Sequence, residues 1–139
     1  MSEPRYLVDT SVFARIEIPQ VGERLEHLAI AGKVWTCRVI DLELTYATRR
    51  RDVARIIAER RTFPEAQITP AVLDRALQVA GLMAAKGLHR GAKPIDLIIA
   101  AAAEARGLSV LHYDDDYDRI AKITRQPTEW IAKAGTLEH

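Results

Sequence analysis

Short apolar runs alternate with longer segments of helical periodicity along this chain, and that alternation narrows the folds available to it. The predicted strands are residues 5–8, 34–37, 66–68, 110–112 and 128–131. The predicted helices are residues 11–18, 21–31, 39–48, 52–61, 70–86, 94–106 and 117–123. Because strands separated by helices pair in parallel, the pattern predicts an α/β fold with helices on both faces of a parallel sheet.

Several helix boundaries have a local chemical reason. Thr69 and Pro70 are typical of a cap followed by the first helical residue, and Pro94 opens a later helix in the same way. Gly107 is a natural end for that later helix, and Ser11 is a candidate cap for the first one. The helix that Pro94 opens is apolar nearly all round, so we expect it to pack close against the sheet.

Composition sets limits on the class of protein. The 20 basic and 19 acidic residues nearly cancel, so the overall charge does not indicate a partner. No apolar run approaches the roughly 20 residues that would span a bilayer, so we expect no membrane association. The single Cys37 cannot form an internal disulfide, which favours a cytoplasmic protein with a buried thiol.

The length of 139 residues is normal for one domain, and we expect that domain to cover residues 1–136. The last residues, Leu137, Glu138 and His139, look like the start of an expression-tag scar. The first five residues lack the long apolar stretch of a signal peptide.

Four acidic residues carry the functional interpretation. Asp9 and Asp114 follow predicted strands, and Asp96 lies in the first turn of a helix that starts at the same rim of the sheet. Glu43 lies among apolar residues of a predicted helix. Gathered carboxylates repel one another, which raises some of their pKa values and calls for a cation such as Mg²⁺ or Mn²⁺. Carboxylates with such a metal are a standard apparatus for hydrolysing phosphodiesters.

Each acid alone also has a simpler structural interpretation. Asp9 would cap the helix that follows it, and Asp96 is favoured in a first helical turn. The acidic run at 114–118 fits an ordinary solvated turn. Glu43 is preferred over Asp41 for the pocket because residues two apart do not share a helix face. Joint placement at one rim favours a common site over separate explanations.

Four blocks of residues, taken in order and with their spacing, resemble PIN-domain nucleases and, more closely, the toxins of VapBC-type toxin–antitoxin pairs. The blocks are residues 8–11 (VDTS), 42–47 (LELTYA), 94–101 (PIDLIIAA) and 112–118 (HYDDDYD). The resemblance covers nearly the whole chain. It implies a three-layer α/β/α fold with a central parallel sheet and an endoribonuclease activity that depends on Mg²⁺, with Mn²⁺ as a substitute.

The same resemblance implies roles for particular residues. The acids expected at the site are Asp9, Glu43, Asp96, Asp114 and Asp116. All of them except Glu43 are expected metal ligands, and Asp116 or Glu43 would hold a second metal or position the attacking water. Ser11 matches a hydroxyl-bearing position that orients Asp9 or a metal-bound water.

The resemblance also implies partners: an RNA substrate such as tRNA or ribosomal RNA, a small antitoxin protein, and a second copy of the chain in a homodimer. Arg90 and Lys93 adjoin Asp96 and are the predicted RNA contacts, which would make binding weaken with salt. The arginines at 49–51, 55 and 60–61 fit a solvated helix face equally well. His112 is expected to be a strand residue packed under a helix.

Other interpretations stay open at this point. A receiver domain needs a pair of acids after its first strand, where this chain has only Asp9. A haloacid-dehalogenase-type phosphatase needs a second Asp at the position that Ser11 occupies. The remaining alternatives are a PIN-like nuclease or RNA-processing factor outside a toxin–antitoxin pair, and a non-catalytic acidic binding module. The apolar residues Leu25, Leu28 and Ile30 are candidate interface positions.

Overall fold

The computed structural model of the chain describes residues 4–137. Its strands are β1 (Tyr6–Val8), β2 (Val34–Trp35), β3 (Ser109–His112) and β4 (Thr128–Trp130). Its α-helices are α1 (Thr10–Phe13), α2 (Pro19–Ile30), α3 (Arg38–Ala47), α4 (Val53–Arg60), α5 (Pro70–Ala85), α6 (Pro94–Arg106) and α7 (Asp116–Thr124). A 3₁₀ turn, Arg50–Asp52, precedes α4. This order confirms the alternation of strands and helices predicted from the sequence.

The four strands form one parallel sheet in the order β2-β1-β3-β4. Val8 pairs with Leu111, so the carboxyl ends of the two central strands lie side by side. The predicted strand at 66–68 is wrong: no strand forms there, and the nearest pairing is one isolated bridge between Thr36 and Glu65, the residue just before it. Helix α3 begins immediately after Thr36 and Cys37, which leaves the segment no strand to continue pairing with.

Both faces of the sheet are covered, as the α/β prediction requires. Leu7 and Val110 point into one buried cluster, which contains residues of α5, α6 and α7. Val8 and Leu111 point into the other, together with residues of α1 and α2. Because side chains alternate along a strand, each central strand contributes to both cores, and the result is the expected three-layer α/β/α arrangement.

Helices α5 and α6 begin as predicted. The Thr69 hydroxyl accepts a hydrogen bond from the Val72 amide, and Pro70 and Pro94 each occupy the first position of a helix. Gly107 ends α6 with a φ of 67°, a left-handed conformation that glycine adopts without steric cost. Five consecutive residues of α6, from Ile99 to Ala103, are buried, which confirms the close packing expected for this helix.

The first helix differs from its prediction. Asp9, and not Ser11, caps α1, because the Asp9 carboxylate accepts a hydrogen bond from the Ser11 amide. The helix ends at Phe13 instead of continuing to about residue 18. Asp9 therefore does act as a cap, one of the two interpretations that the sequence left open, and this role holds one of its oxygens in place.

Only one of the three candidate interface residues is exposed. Leu25 and Leu28 are buried in the core under α2, so they are not exposed as predicted, whereas Ile30 is exposed. The largest exposed apolar side chains include Tyr46 on α3 and Leu77 on α5. A helix presents several faces, and the periodicity of α2 alone did not indicate which one meets the sheet.

The remaining composition-based predictions concern Cys37, the membrane and the chain ends. Cys37 is fully buried, and burial raises its pKa to about 11, as expected for an inert thiol. Within residues 4–137, no helix has the length and apolar character needed to cross a bilayer. Leu137 is buried, and its amide donates to the Tyr113 hydroxyl. Residues 1–3 and the rest of the predicted tag scar, residues 138 and 139, lie outside the described residues.

Candidate metal centre

Three aspartates meet at the carboxyl end of the sheet. Asp96 lies in the first turn of α6, Asp114 follows β3, and Asp116 is the first residue of α7. One carboxylate oxygen from each lies within 4.8 Å of the other two. Asp96 and Asp116 are buried and Asp114 is half-buried, so the cluster is only partly open to solvent. The sequence predicted all three as metal ligands.

Backbone and side-chain donors fix Asp116 and Asp114. Asp116 accepts hydrogen bonds from the Lys93 amide at 2.9 Å and from the Arg119 guanidinium at 2.7 Å. Asp114 is fixed in turn by the Asp116 amide, which donates a hydrogen bond to Asp114 Oδ1 at 2.9 Å. The start of α6 and the start of α7 are thus joined through one carboxylate, which brings Asp96 next to Asp116.

The Lys93 ammonium lies against all three carboxylates. Its Nζ is 2.7 Å from Asp116 Oδ2, 3.1 Å from Asp114 Oδ2 and 3.3 Å from Asp96 Oδ2. Burial acts to lower the pKa of Lys93, but its hydrogen bonds to Asp116 and Asp114 outweigh that effect and raise it, so the group stays charged. The sequence predicted Lys93 as an RNA contact, and the structure places its ammonium on the acidic cluster.

Asp9 is connected to this cluster through Tyr117. The buried Tyr117 hydroxyl lies 2.7 Å from Asp9 Oδ1 and 3.3 Å from Asp96 Oδ1. Burial, followed by the negative charges of Asp9 and Asp96, raises the pKa of Tyr117, so the hydroxyl keeps its proton and remains a donor. The second oxygen of Asp9 accepts from the Ser11 amide at 3.0 Å. Asp9 is therefore held at the edge of the cluster by two donors.

Ser11 and Glu43 are positioned by α1. The Ser11 hydroxyl accepts from the Tyr113 amide at 2.8 Å, which ties the end of β3 to α1. Ser11 therefore contacts Asp9 through its backbone amide. Glu43, on α3, accepts from the Thr10 hydroxyl at 2.7 Å, and Thr10 directly follows Asp9. Glu43 therefore contacts the residue that follows Asp9, and it is not one of the three clustered acids.

Asp41 belongs to a separate buried network, as its exclusion from the pocket predicted. It pairs with the Arg60 Nε at 2.9 Å and accepts from the Thr36 hydroxyl at 2.7 Å. The Arg60 guanidinium also lies over the rings of Phe13 and Phe63. Arg60 is buried and is therefore not available to bind a nucleic acid. The basic cluster that follows Glu43 in sequence thus has one arginine fewer that could contact RNA.

Burial and crowding shift the pKa values of the acids. Burial, together with the hydrogen bond to Asp116 and the charge of Asp9, raises the pKa of Asp96 from 3.8 to about 8. Burial also acts to raise the pKa of Asp116, but hydrogen bonds from Asp96 and Lys93 outweigh it and hold that pKa below its ordinary range. The pair therefore shares one proton near neutral pH. The raised value confirms the expectation for crowded carboxylates, with burial as the largest cause.

The donor set fits a hard divalent cation. All three clustered groups offer carboxylate oxygens, the ligands that Mg²⁺ and Mn²⁺ prefer. Within the described part of the chain, Asp96 Oδ2 is buried and accepts no hydrogen bond, although the Lys93 ammonium lies 3.3 Å away. A carboxylate oxygen placed in this way can take up coordination to a cation.

A groove of about 390 Å³ opens beside the cluster. Its lining includes Arg90, Lys93 and Asp116, along with apolar side chains of α5 and α6. Arg90 is exposed there, with a φ of 64° that holds the loop before α6 in a tight turn. The groove thus brings Arg90 and Lys93 together beside Asp116.

His112 is a packed strand residue, as expected. It is fully buried, and the rings of Tyr117 and Trp130 each lie 5.0 Å from its own ring. Its Nδ1 accepts from the Asp114 amide at 3.2 Å, which helps to place that acid. Burial lowers the pKa of His112, although the nearby acids, Asp118 first, act in the opposite direction.

Sequence reasoning missed three features of the site: the Tyr117 bridge, the ammonium of Lys93 on the acids, and the burial of Arg60. Arg60 had a detectable signal, because it continues the spacing of Val53, Ile56 and Ile57 along α4. The other two depend on how α6 and α7 cross, which no local pattern shows.

Comparison with known proteins is consistent with this geometry. The PIN domain family matches residues 6–123 of the chain. Ribonuclease VapC21 of Mycobacterium tuberculosis is 44% identical over 134 residues, which cover 95% of this chain and 97% of that protein. Ribonuclease VapC51 of the same organism is 43% identical over 135 residues, covering 96% and 98%.

Solved structures share the same architecture. The crystal structure of DNA-bound VapBC from Salmonella typhimurium matches with a TM-score of 0.73 at 19% identity, covering 94% of this chain and 100% of that one. VapBC2 from Rickettsia felis, bound to a promoter DNA fragment, matches with a TM-score of 0.69 at 16% identity, covering 90% and 97%. At such identities the likeness shows the fold alone. The sequence matches go further: this chain belongs to the PIN-domain family and, within it, to the VapC proteins.

Proposed function

We propose that this protein is a divalent-metal-dependent endoribonuclease and the toxin of a toxin–antitoxin pair. The observation that carries the proposal is the group of three carboxylates, one oxygen of each lying within 4.8 Å of the other two, at the carboxyl end of the sheet. The names of its relatives, ribonucleases VapC21 and VapC51, support the activity. The VapBC titles of the structural neighbours support an antitoxin partner.

Asp96, Asp114 and Asp116 would hold the metal, with Asp9 next to them through Tyr117. When bound, Mg²⁺ or Mn²⁺ would lower the pKa of a coordinated water and neutralise charge on the scissile phosphate. Glu43 is proposed to orient the attacking water from the Asp9 side of the site, where Thr10 holds it.

The substrate is proposed to be RNA, with tRNA and ribosomal RNA as the first candidates. Arg90 lies in the groove beside the cluster and would contact phosphates that approach the acids. Such contacts release counterions, so binding should weaken as salt concentration rises. Partner proposals are a cognate antitoxin and a homodimer, and the proposed location is the cytoplasm.

The experiment that tests this function is cleavage of end-labelled total tRNA and ribosomal RNA, with Mg²⁺, Mn²⁺ or EDTA. Asp96→Asn should lower the cleavage rate by at least a hundredfold, because it removes a metal-binding carboxylate without changing side-chain size. Asp115→Asn is the matched control, since Asp115 is a neighbouring acid with 73% of its side chain exposed and lies outside the cluster.

Discrete metal-dependent products from wild type and Asp115→Asn, with none from Asp96→Asn, would support the ribonuclease. Equal cleavage by wild type and Asp96→Asn would remove this site from the reaction. No cleavage with either metal, from protein freed of antitoxin, would favour a binding role for the acidic site.

A further inference from the structure

We propose that Lys93 is a built-in counter-cation, whose ammonium neutralises the acidic cluster in the metal-free protein and withdraws when a divalent ion binds. The inference rests on the proposed metal site and concerns the chain's own control of it. Its basis is geometric: one Nζ atom lies 2.7–3.3 Å from carboxylates of three residues on two helices and a loop.

The position of the ammonium is what a competitor of a metal ion requires. It contacts one oxygen each of Asp96, Asp114 and Asp116, the three residues whose oxygens lie within 4.8 Å of one another. A divalent ion bound to those oxygens would lie within a few ångströms of the ammonium. Two cations at that separation repel each other, so the ammonium and the ion compete for the same carboxylate oxygens.

Lys93 can leave without disturbing the fold. Its side chain is 63% exposed and ends a flexible four-carbon stem, so the ammonium can turn toward solvent. The structural contact of this residue comes from its backbone, because the Lys93 amide donates to Asp116 at 2.9 Å. That contact survives any movement of the side chain.

Arg119, the other cation at the cluster, is unsuited to the same role. Only 34% of its side chain is exposed, and its Nε donates to the Gly91 carbonyl. A methyl group on Gly91 would lie 3.3 Å from the Arg119 side chain, so the two are closely packed. Within the cluster, Arg119 contacts Asp116 alone. It is a fixed part of the site, and Lys93 is the movable one.

Withdrawal also gives Lys93 a second position to occupy. The groove beside the cluster is lined by Lys93 and Arg90 together. An ammonium displaced from the carboxylates would enter the space in which a substrate phosphate is proposed to lie. Metal loading would thus exchange a cation on the acids for a cation directed at the substrate.

Direct Mn²⁺ binding tests the inference, measured by electron paramagnetic resonance or calorimetry on the full chain without RNA. Lys93→Met keeps the length of the side chain and removes its charge. We expect it to tighten Mn²⁺ binding by about tenfold, which corresponds to about 1.4 kcal/mol. Lys122→Met, an exposed lysine on α7, controls for the change in net charge and should bind as wild type does. Lys93→Arg, which keeps the charge, should also stay close to wild type.

The outcomes separate this inference from the function on which it rests. If Asp96→Asn binds Mn²⁺ as tightly as wild type, the metal site itself is wrong. If Asp96→Asn loses binding but Lys93→Met matches wild type or binds more weakly, the site stands and the counter-cation role is overturned. Equal tightening by Lys93→Met and Lys122→Met, or tightening by Lys93→Arg, would also overturn it.

Discussion

Replacing Asp96 with Asn should make the metal-free protein more stable as pH rises, relative to wild type. Asp96 is buried, and its pKa in the folded chain is raised from 3.8 to about 8. Ionising Asp96 is therefore less favourable in the folded state than in the unfolded state, and ionisation lowers the free energy of unfolding. Asparagine has nearly the same shape and no ionisation, so it removes that cost.

The sign and size of the effect follow from proton linkage. Between pH 3.8 and about 8, the folded chain holds a proton on Asp96 that the unfolded chain has released. Stability from this group is fully present below the unfolded pKa and is lost as pH rises through the folded one, by about 1.4 kcal/mol per pH unit. Asp116 has a lowered pKa, so it is ionised in both states across this window. From pH 5.5 to 7.5 the loss is about 3 kcal/mol, as an order of magnitude.

Urea unfolding in EDTA at pH 5.5, 6.5 and 7.5 measures the effect, with wild type and Asp96→Asn compared at each pH. Groups whose pKa does not depend on Asp96, such as the buried His112, titrate alike in both proteins and cancel in the difference. The variant should gain on wild type at each step. A difference that stays flat across the three pH values would refute the assignment of a raised pKa to Asp96.

Two further substitutions test contacts that hold the site in place. Tyr117→Phe removes the hydroxyl between Asp9 and Asp96, and leaving a buried acceptor without its donor should lower the free energy of unfolding in EDTA by about 1–3 kcal/mol. Tyr46→Phe, on a ring that is 93% exposed, should change it by less than about 0.5 kcal/mol; equal effects would contradict the bridge. Arg60→Met should lower the free energy of unfolding by about 3 kcal/mol, because it leaves Asp41 buried with one partner fewer. The exposed neighbour Arg61→Met is its control in the same urea titration, and a loss at Arg61 equal to that at Arg60 would refute the buried pair.

The placement of the acids could be predicted because it follows from topology. Parallel strands end at one edge of a sheet, so Asp9 after β1 and Asp114 after β3 had to lie near each other. Asp96 joined them because α6 starts at that edge, with Pro94 marking its first turn. Glu43 was selected as an acid among apolar residues, and in the structure it contacts Thr10, the residue after Asp9.

The short β-like segment and the first helix could not be predicted correctly, for physical reasons. Residues 66–68 have strand-like composition, but a strand exists only if a partner has free backbone groups, and β2 is already ending at Trp35. Serine is a favourable residue type for a helix cap, but Asp9 lies two residues earlier and its carboxylate accepts the hydrogen bond from the Ser11 amide. The helix therefore begins after Asp9. Propensity ranks candidates, and tertiary pairing decides among them.

The roles of Tyr117 and Lys93 depend on how the helices pack in three dimensions. In sequence, Tyr117 continues the apolar face of α7, and its hydroxyl has a function only because the fold places it between Asp9 and Asp96. From sequence, Lys93 is only a cation before a helix. Its role appears in the structure, where Asp116 of α7 accepts hydrogen bonds from both its amide and its ammonium.

Gathering acids for a metal creates a folding problem when no metal is bound, and the structure contains the means of reducing it. Carboxylates at one buried rim would repel one another and destabilise the apo chain. Each instead has a partner in the metal-free chain: a shared proton for Asp96 and Asp116, a phenol for Asp9 and a lysine for Asp114. A proton and a flexible ammonium are both partners that a divalent ion can displace. Metal binding should therefore release a proton and free Lys93 together, which couples ion affinity to pH and to the position of this flexible side chain.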